Sequence, residues 1–259
     1  KIFPEYKENR RVRQKLTRST SLSTIEDERI SMGQQIQRLT QYLDVLPVTT
    51  MATENIEADD AIAYITEQVY PKSNCIIMST DKDFLQLVSK RVQVWSPTKK
   101  RFYFPETIQE EFGIPSHNFL MYRMLKGDGS DNIPGIKGAG LKTLQRRLPI
   151  LFEDKKISIE DVINYANNSD DKTKLNLQIQ SSEDLLNLNH RLMQLQEVDI
   201  DGNARSSIID IVRGPIKRLV KYKFQKMMLE LNSAIKNPDL WLKQVFTHLE
   251  AMAEKGNNE

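Results

Sequence analysis

The stretch KGDGSDNIPGIKGAGLKT, residues 126–143, decides the fold because it joins acidic side chains to a glycine-rich turn. The turn contains three spaced glycines, Gly135, Gly138 and Gly140. A helix is predicted to begin at Ala139 or Gly140, where backbone N–H groups and the helix dipole favour an anion. The pattern predicts a helix-hairpin-helix turn, at about residues 116–148, that holds a phosphodiester backbone without reading bases. A dinucleotide loop is the alternative, but it needs a strand before the glycines, and these lie between two helical segments.

Seven acidic residues fall in three short groups. The groups are Glu57, Asp59 and Asp60 in IEADD, Asp81 and Asp83 in STDKDF, and Asp128 and Asp131 in KGDGSDN. If folding brings the groups together, two carboxylates about 5 Å apart repel by roughly 3 kcal/mol at an effective dielectric of about 20. Divalent cations make such a cluster tolerable, and ligand sets made of oxygen alone favour Mg²⁺ or Mn²⁺.

The spacing inside each group is consistent with convergence. The first two groups each contain a pair two residues apart, and an extended strand end would point both members of such a pair to one side. The last pair is three residues apart, which predicts one face of a helical turn, with Gly127 and Gly129 allowing the chain to bend. The alternative is that each acid is a solvated charge or a helix cap, as Asp often is before an apolar helix.

Composition excludes several classes of protein. The chain has 259 residues, of which 39% are hydrophobic, enough for one large core or two modest ones. Its apolar runs, such as residues 75–78, are too short to cross a bilayer, and KIFPEYKENRR lacks the apolar region of a secretory signal. A soluble cytoplasmic protein is therefore predicted. Cys75 is the single cysteine, which excludes an internal disulfide and a zinc-thiolate site, and a core position is predicted for it. His117, His190 and His248 are scattered and form no ligand motif.

The charge of the chain is distributed unevenly. Its formal net charge is +2, so removing the seven grouped acids leaves 2 + 7 = +9 on the remainder. That excess favours a polyanionic partner. A weakly basic protein with an acidic pocket is typical of a metal-dependent enzyme that acts on nucleic acid.

Apolar periodicity predicts alternating strands and helices in the first half. The predicted elements are helix 30–45, strand 47–53, helix 59–69, strand 74–80, short helix 81–89, hairpin strands 91–95 and 101–104, and helices 105–113, 116–125 and 140–148. Strands joined by helical crossovers indicate an α/β fold with a largely parallel sheet covered by helices. A helical subdomain is predicted to begin near residue 105, which gives domains 1–104 and 105–259.

The segment FPEYKENR, residues 3–10, places an aromatic ring beside two cations. Lys7 and Arg10 are three residues apart, so a helical turn would put both on one face. Such a pair beside a metal cluster can hold the scissile phosphate and stabilise the charge that develops during cleavage, and the ring of Tyr6 can stack on an unpaired base. The alternative is an ordinary basic N-terminal tail.

The motifs YKENR, EADD, STDKDF and KGDGSDNIPGIKGAGLKT, in this order, resemble the 5′-nuclease (flap endonuclease) superfamily. Within it the chain is most similar to the bacteriophage 5′-exonucleases, phage ribonuclease H and the 5′-nuclease domain of bacterial DNA polymerase I. The specific motifs cover about residues 1–150, and a looser resemblance continues to about residue 200.

The resemblance implies a PIN-like α/β core with a helical arch, at about residues 7–35, and a helix-hairpin-helix module. All seven grouped acids match the family's metal-binding acids, Lys7 and Arg10 its basic pair, and Tyr6 its stacking aromatic. DNA contacts are predicted at Arg123, Lys126, Gly135, Lys137, Gly138, Gly140 and Lys142. The family's glycine turn also binds K⁺ through backbone carbonyls, which map here to Ile133 and Ile136.

One departure from the family concerns the start of the chain. Members begin with a strand that carries a metal-binding aspartate, with a second aspartate further on, and this sequence starts at Lys1 inside the segment that follows them. The sequence is therefore predicted to be the C-terminal part of a longer protein, with sheet edges left exposed.

The predicted activity is hydrolysis of phosphodiester bonds at DNA 5′ ends, flaps or nicked and branched duplexes by two or more Mg²⁺ or Mn²⁺ ions, in a bacterial or phage-infected cell. Further expectations are action on RNA–DNA hybrids, a single-strand-binding protein or polymerase as partner, no membrane association, and a monomer. Two alternatives stay open. One is a catalytically impaired module that binds branched DNA without the upstream acids, and the other is a PIN-type ribonuclease.

Overall fold

The computed structural model describes residues 3–8, 24–54, 56–169, 173–230, 240, 243–248 and 251. Contacts divide the chain into two units. The first comprises Lys1–Arg13 and Asn55–Ile200, and the second comprises Gln14–Glu54 and Asp201–Glu259. The predicted domains 1–104 and 105–259 have other boundaries and stay a prediction.

The α-helices, in chain order, are α1 Ile25–Val45, α2 Ala58–Tyr64, α3 Pro105–Phe112, α4 Phe119–Lys126, α5 Leu141–Arg147, α6 Ile159–Asn168, α7 Lys174–Gln180, α8 Glu183–Met193, α9 Gly202–Val212 and α10 Lys221–Glu230. Helix α2 continues as a π-helix, Ile65–Val69, and three 3₁₀ turns cover Lys82–Leu87, Ser116–Asn118 and Pro149–Phe152. These bounds confirm the helices predicted from periodicity, although α1 begins earlier than residue 30. Among the described residues, no helix is long and apolar enough to span a membrane.

In the described part of the first unit, three strands form the sheet: β1 Cys75–Met78, β2 Val92–Ser96 and β3 Arg101–Tyr103, in the order β1-β2-β3. Strand β1 pairs with β2 in parallel and β2 pairs with β3 antiparallel, so the predicted hairpin is confirmed and the sheet is mixed. Within the described residues β1 is an edge strand, and its Ile76 and Met78 are 63% and 72% exposed. Cys75 is only partly buried, which corrects its predicted core position.

The strand predicted at 47–53 is wrong. Residues 48–53 have no strand or helix assignment, and Thr49 and Thr50 are exposed. An alternating pattern forms a strand only when another strand supplies the hydrogen bonds, and the described residues pair none with this segment.

One hydrophobic core joins the sheet to the helices that follow it. Val92 and Val94 of β2 share this core with Phe119 and Leu125 of α4, and with Leu144 of α5. These side chains are at most 1% exposed. Because the sheet and the later helices bury the same apolar surface, the acidic motifs before residue 105 and the glycine turn after it belong to one rigid framework.

The second unit has its own small core, built by Val45 of α1, Phe224 of α10 and Phe246. Helix α1 begins with a capping box in which Thr24 accepts from the backbone of Asp27, and Asp27 accepts from the backbone of Thr24. Of the predicted arch, residues 24–35 are described and include the start of this helix, whereas residues 9–23 lie outside the described residues.

Candidate metal and nucleic-acid site

Five of the seven predicted acids line one cavity of the first unit, with a volume of about 560 Å³. They are Glu57, Asp59, Asp60, Asp83 and Asp131. The cavity is completed by aromatic, apolar and charged side chains that include Phe3, Tyr6, Arg191 and Asp199. The three acidic motifs therefore contribute to a single site, as the sequence predicted.

The first acidic group lies at the start of α2. Glu57 is the N-cap residue with φ −74° and ψ 149°, and Asp59 and Asp60 belong to the first turn. The predicted extended strand end is wrong here because the helix begins at Ala58, where carboxylates are stabilised by the helix dipole. The Nζ of Lys7 donates to Oε2 of Glu57, and the Tyr6 hydroxyl lies 3.4 Å from the same oxygen.

Crowding of negative charge changes the acidity of this group. Burial, together with the charges of Asp59 and Glu57, raises the pKa of Asp60 to about 6. Burial also raises the pKa of Asp59, and the charge of Glu57 adds to the shift. Carboxylates held in this way are unfavourable as free anions and are stabilised by a bound cation.

The second acidic group follows β1, but not as an extended strand end. The strand stops at Met78, and Asp81 is the N-cap of the 3₁₀ turn Lys82–Leu87. Its Oδ1 accepts from the backbone N–H of Asp83 at 2.9 Å, so the pair belongs to a helix cap and the predicted extended strand end is wrong. Asp83 lines the cavity, whereas Asp81 is not among its lining residues. Burial raises the pKa of Asp83 even though the charge of Arg123 opposes the shift.

The third acidic group lies in a tight turn closed by a β-bridge between Asp128 and Ile133. Two backbone hydrogen bonds of 2.8 and 2.9 Å join these residues, so the predicted helical turn is wrong. The turn requires a left-handed residue, Asn132, at φ 61°. Asp131 is 9% exposed and lines the cavity. Asp128 is turned to Ser130, whose N–H and hydroxyl donate to its Oδ1.

Arg123 of α4 is 7% exposed and connects two acidic groups. Its Nε lies 2.7 Å from Oδ1 of Asp83, and its Nη2 lies 2.5 Å from Oδ2 of Asp128. The predicted DNA contact at Arg123 is corrected by these distances, because the guanidinium is buried against carboxylates. Although burial opposes the shift, hydrogen bonds from Ser130 and Arg123 hold the pKa of Asp128 below its ordinary value.

The segment 3–8 is fastened to the turn of the third group. The N–H of Lys7 donates to the carbonyl of Asp131 at 2.9 Å, and the side chain of Asn132 donates to the carbonyl of Glu5 at 3.1 Å. Burial lowers the pKa of the Lys7 amine, but the hydrogen bonds and charges of Glu57 and Tyr6 together outweigh burial, and the pKa is raised. Lys7 is thus a charged lysine at the cavity. The predicted role of Arg10 lies outside the described residues.

The glycine turn connects α4 to α5. The helix was predicted to begin at Ala139 or Gly140; it begins at Leu141, with Gly140 as its N-cap. Gly138 has φ 87°, a conformation that favours glycine. The predicted contacts Lys126, Lys137 and Lys142 are exposed. The carbonyl of Ile133 accepts from Asp128, and that of Ile136 accepts from Ala139, so each has one remaining lone pair for the predicted K⁺.

The donor set suits a hard divalent cation, since the predicted ligands in the cavity are carboxylates. Among the described residues, however, no three acidic, histidine or cysteine side chains are arranged closely enough to enclose an ion. The charges are thus assembled at one site, with the side chains spread around its wall.

Three residues of the site escaped the sequence analysis. Asp199 and Arg191 line the cavity but belong to no motif. Asn189 of α8 is fully buried, and its Nδ2 donates to the carbonyls of Met124 and Pro134 at 2.8 Å each, which fixes the glycine turn to α4. A single buried amide on a helix has no pattern by which the sequence could reveal it.

A larger cavity, of about 680 Å³, lies elsewhere in the first unit. Its lining includes His117, His190, Lys156 and Glu183, and none of the predicted site residues. Two of the three scattered histidines therefore line one cavity, which their positions in the sequence did not indicate. The acidic cavity is the candidate site because the predicted motifs meet there.

Comparison with known proteins supports this assignment. Residues 1–113 match a family described as "5'-3' exonuclease, N-terminal resolvase-like domain". A 5′-3′ exonuclease of Aquifex aeolicus (strain VF5) is 31% identical over 211 residues, which cover 81% of this chain and 68% of that protein. A 5′-3′ exonuclease of Buchnera aphidicola subsp. Acyrthosiphon pisum (strain APS) is 29% identical over 245 residues, covering 94% of this chain and 69% of that protein.

Solved structures show the same fold. The D15 protein of bacteriophage T5, co-crystallised with metal ions, has a TM-score of 0.60 and 23% identity over 89% of this chain and 78% of that chain. A complex of the T5 D15 flap endonuclease with DNA and metal ions has a TM-score of 0.59 and 21% identity over 90% of this chain and 79% of that chain. These similarities identify the fold as that of a PIN-like 5′ nuclease. The chain belongs to the 5′-3′ exonuclease family.

Proposed function

We propose that this chain hydrolyses phosphodiester bonds of DNA at 5′ ends or flaps by a divalent-metal mechanism. The observation that carries the proposal is the cavity in which acids from three separate motifs meet beside Lys7. A likeness to structures described with metal ions and DNA supports the same activity.

All seven acids would hold Mg²⁺ or Mn²⁺. Five of them line the cavity, Asp128 shares the guanidinium of Arg123 with Asp83, and Asp81 caps the turn that contains Asp83. When bound, two such ions activate a water molecule and stabilise the leaving oxygen of the phosphodiester. Lys7, which already lies beside Glu57, would hold the attacked phosphate together with Arg10. The hydroxyl of Tyr6 lies beside Glu57, which would hold the half-buried ring at the cavity. There the ring would stack on the terminal base.

The glycine turn would hold the duplex away from the cut. Lys126, Lys137 and Lys142 are exposed, and they can contact phosphates without reading base sequence. Gly138 and Gly140 have no atom within 4 Å of an added Cβ, so the backbone there is open to a close approach, whereas Gly135 packs against Lys126 and would act by holding the turn in place. K⁺ on the carbonyls of Ile133 and Ile136 would neutralise a nearby phosphate.

Several finer parts of the proposal depend on the relatives alone. The bacterial and phage origin of the relatives fits an enzyme of the cytoplasm, for which we propose a monomer that also degrades RNA paired to DNA. We propose a polymerase as partner, because a thermostable DNA polymerase I of Thermus thermophilus is among the relatives, and a single-strand-binding protein as a second partner.

Cleavage of a labelled 5′-flap DNA in Mg²⁺ tests this function. Asp60→Asn and Asp131→Asn should each lower the rate at least about 100-fold, because loss of even an outer partner of a metal ligand costs about 10- to 100-fold. Asp154→Asn is the control, since its side chain is 96% exposed and lies outside the acidic cavity. Undiminished cleavage by both cavity variants would refute the assignment. Binding of the flap without any cleavage by the unaltered protein would identify a DNA-binding module instead.

A further inference from the structure

Asp83 and Asp128 differ from the other grouped acids in having a cation between them. The guanidinium of Arg123 donates through Nε to Asp83 and through Nη2 to Asp128, at 2.7 and 2.5 Å. Among the described residues, no arginine makes a hydrogen bond of this kind to Asp59 or Asp60. One part of the acidic site is therefore already neutralised by the protein itself.

The burial of Arg123 shows that this contact is a fixed part of the fold. Its side chain is 8% exposed, and those of Asp83 and Asp128 are 18% and 19% exposed. A buried guanidinium is tolerated only when its charge is paired and its N–H groups are bonded. Two carboxylates aimed at one centre, in turn, require a cation at that centre.

We propose that Arg123 is a positioning residue that takes the place of a divalent ion between Asp83 and Asp128. The carboxylates at the start of α2, together with Asp131, would hold a first ion. Asp83 and Asp128 would hold a second ion only weakly, because that ion would have to displace the guanidinium. Arg123 thus sets the difference in affinity between two ions of the same site. This inference rests on the proposed metal-dependent function.

Direct measurement of Mn²⁺ binding tests the inference without any activity assay. Titrations of the unaltered protein, Arg123→Met and Arg123→Gln, followed by the electron paramagnetic resonance of free Mn²⁺, give the number and affinity of the ions. In both variants we expect the weaker Mn²⁺ site to tighten about tenfold or more, because a positive charge next to the ion is removed. Arg123→Lys, which retains the charge, should bind Mn²⁺ like the unaltered protein.

Arg91→Met is the matched control. Arg91 is also largely buried and paired, to Glu67 at 2.9 Å, but it holds the carbonyls at the end of the π-helix and does not line the acidic cavity. Both arginine-to-methionine variants should lower the melting temperature, since each leaves a partly buried carboxylate without its partner. Only loss of Arg123 should increase Mn²⁺ affinity, a gain that a purely structural role would not produce.

The outcomes separate the inference from the function on which it rests. If the unaltered protein binds Mn²⁺ and neither folded variant binds it more tightly, the inference is overturned and the metal-dependent function stands. If the unaltered protein binds no Mn²⁺, both are overturned. Should Arg123→Met fail to fold, Arg123→Gln, which keeps hydrogen-bond donors for the carboxylates, decides the question.

Discussion

Asp60 illustrates how neighbours give a residue its chemistry. A carboxyl group on the first turn of a helix is ordinarily stabilised as an anion. Burial, with Asp59 and Glu57 close by, outweighs that effect and raises its pKa from 3.8 to about 6. The same residue is therefore a poor free anion and a good ligand for a cation.

This shift predicts a pH dependence of stability. The folded protein binds the Asp60 proton more tightly than the unfolded chain, so its stability falls as pH rises from about 4 to 6, and the full cost remains above pH 6. In EDTA, Asp60→Asn should raise the free energy of unfolding by about 1 kcal/mol at pH 8, after a discount for partial exposure, and by almost nothing at pH 4. Urea denaturation at both pH values measures the effect. An equal gain at pH 4 and pH 8, or the same behaviour in Asp154→Asn, would contradict this origin.

At the scale of the secondary-structure elements, the helices and the hairpin were predicted correctly from the sequence. The backbone conformation at the three acidic groups was not. The apolar spacing of α4 and the turn between β2 and β3 are local signals, and both predictions are confirmed. A pair of acids two residues apart has the same pattern at a strand end and across a helix cap, and the caps at Glu57 and Asp81 depend on where each helix begins. The strand predicted at 47–53 was wrong for a related reason. Whether a segment forms a strand depends on a second segment that pairs with it, and the sequence of one segment does not reveal that partner.

The glycine turn provides a prediction about backbone packing. A Cβ added at Gly135 would lie 1.9 Å from the carbonyl oxygen of Lys126, a contact that backbone cannot relieve without moving. Gly135→Ala should therefore lower the free energy of unfolding by about 3 kcal/mol or more and weaken DNA binding by displacing the turn. Gly129→Ala is a matched control, because nothing lies within 4 Å of its added Cβ. Chemical denaturation of both variants compares them, and equal stabilities would show that the turn adapts.

Across the whole molecule, the order of the motifs was sufficient to predict that their acids meet, but not how their charges are partnered. Arg123 was predicted from the sequence to contact DNA. In the structure it is buried and pairs with the carboxylates of Asp83 and Asp128. Asp199 reaches the cavity only because the chain returns there after α8. Such partners depend on contacts between distant segments, and one sequence contains no local pattern for them.

The excess of positive charge outside the acidic groups predicts strongly salt-dependent DNA binding. With flap DNA in EDTA, Lys142→Gln should weaken binding for all sequences and reduce the slope of log K against log salt by about 1, as expected for one lost phosphate contact. Fluorescence anisotropy at salt concentrations from about 50 to about 200 mM measures the slope. Lys72→Gln, in the exposed loop before β1, should leave it unchanged. An unchanged slope for Lys142→Gln would remove this lysine from the DNA contact.

The lining of the acidic cavity also has a consequence for synthesis of the protein. Its wall includes residues from Phe3 to Asp199, so the polypeptide as far as Asp199 must leave the ribosome before that wall can close. Chains grow from the N-terminus and fold as segments emerge. Nascent chains that carry the first two acidic motifs alone therefore lack a complete pocket, and cleavage of DNA is expected only after Asp199 has emerged.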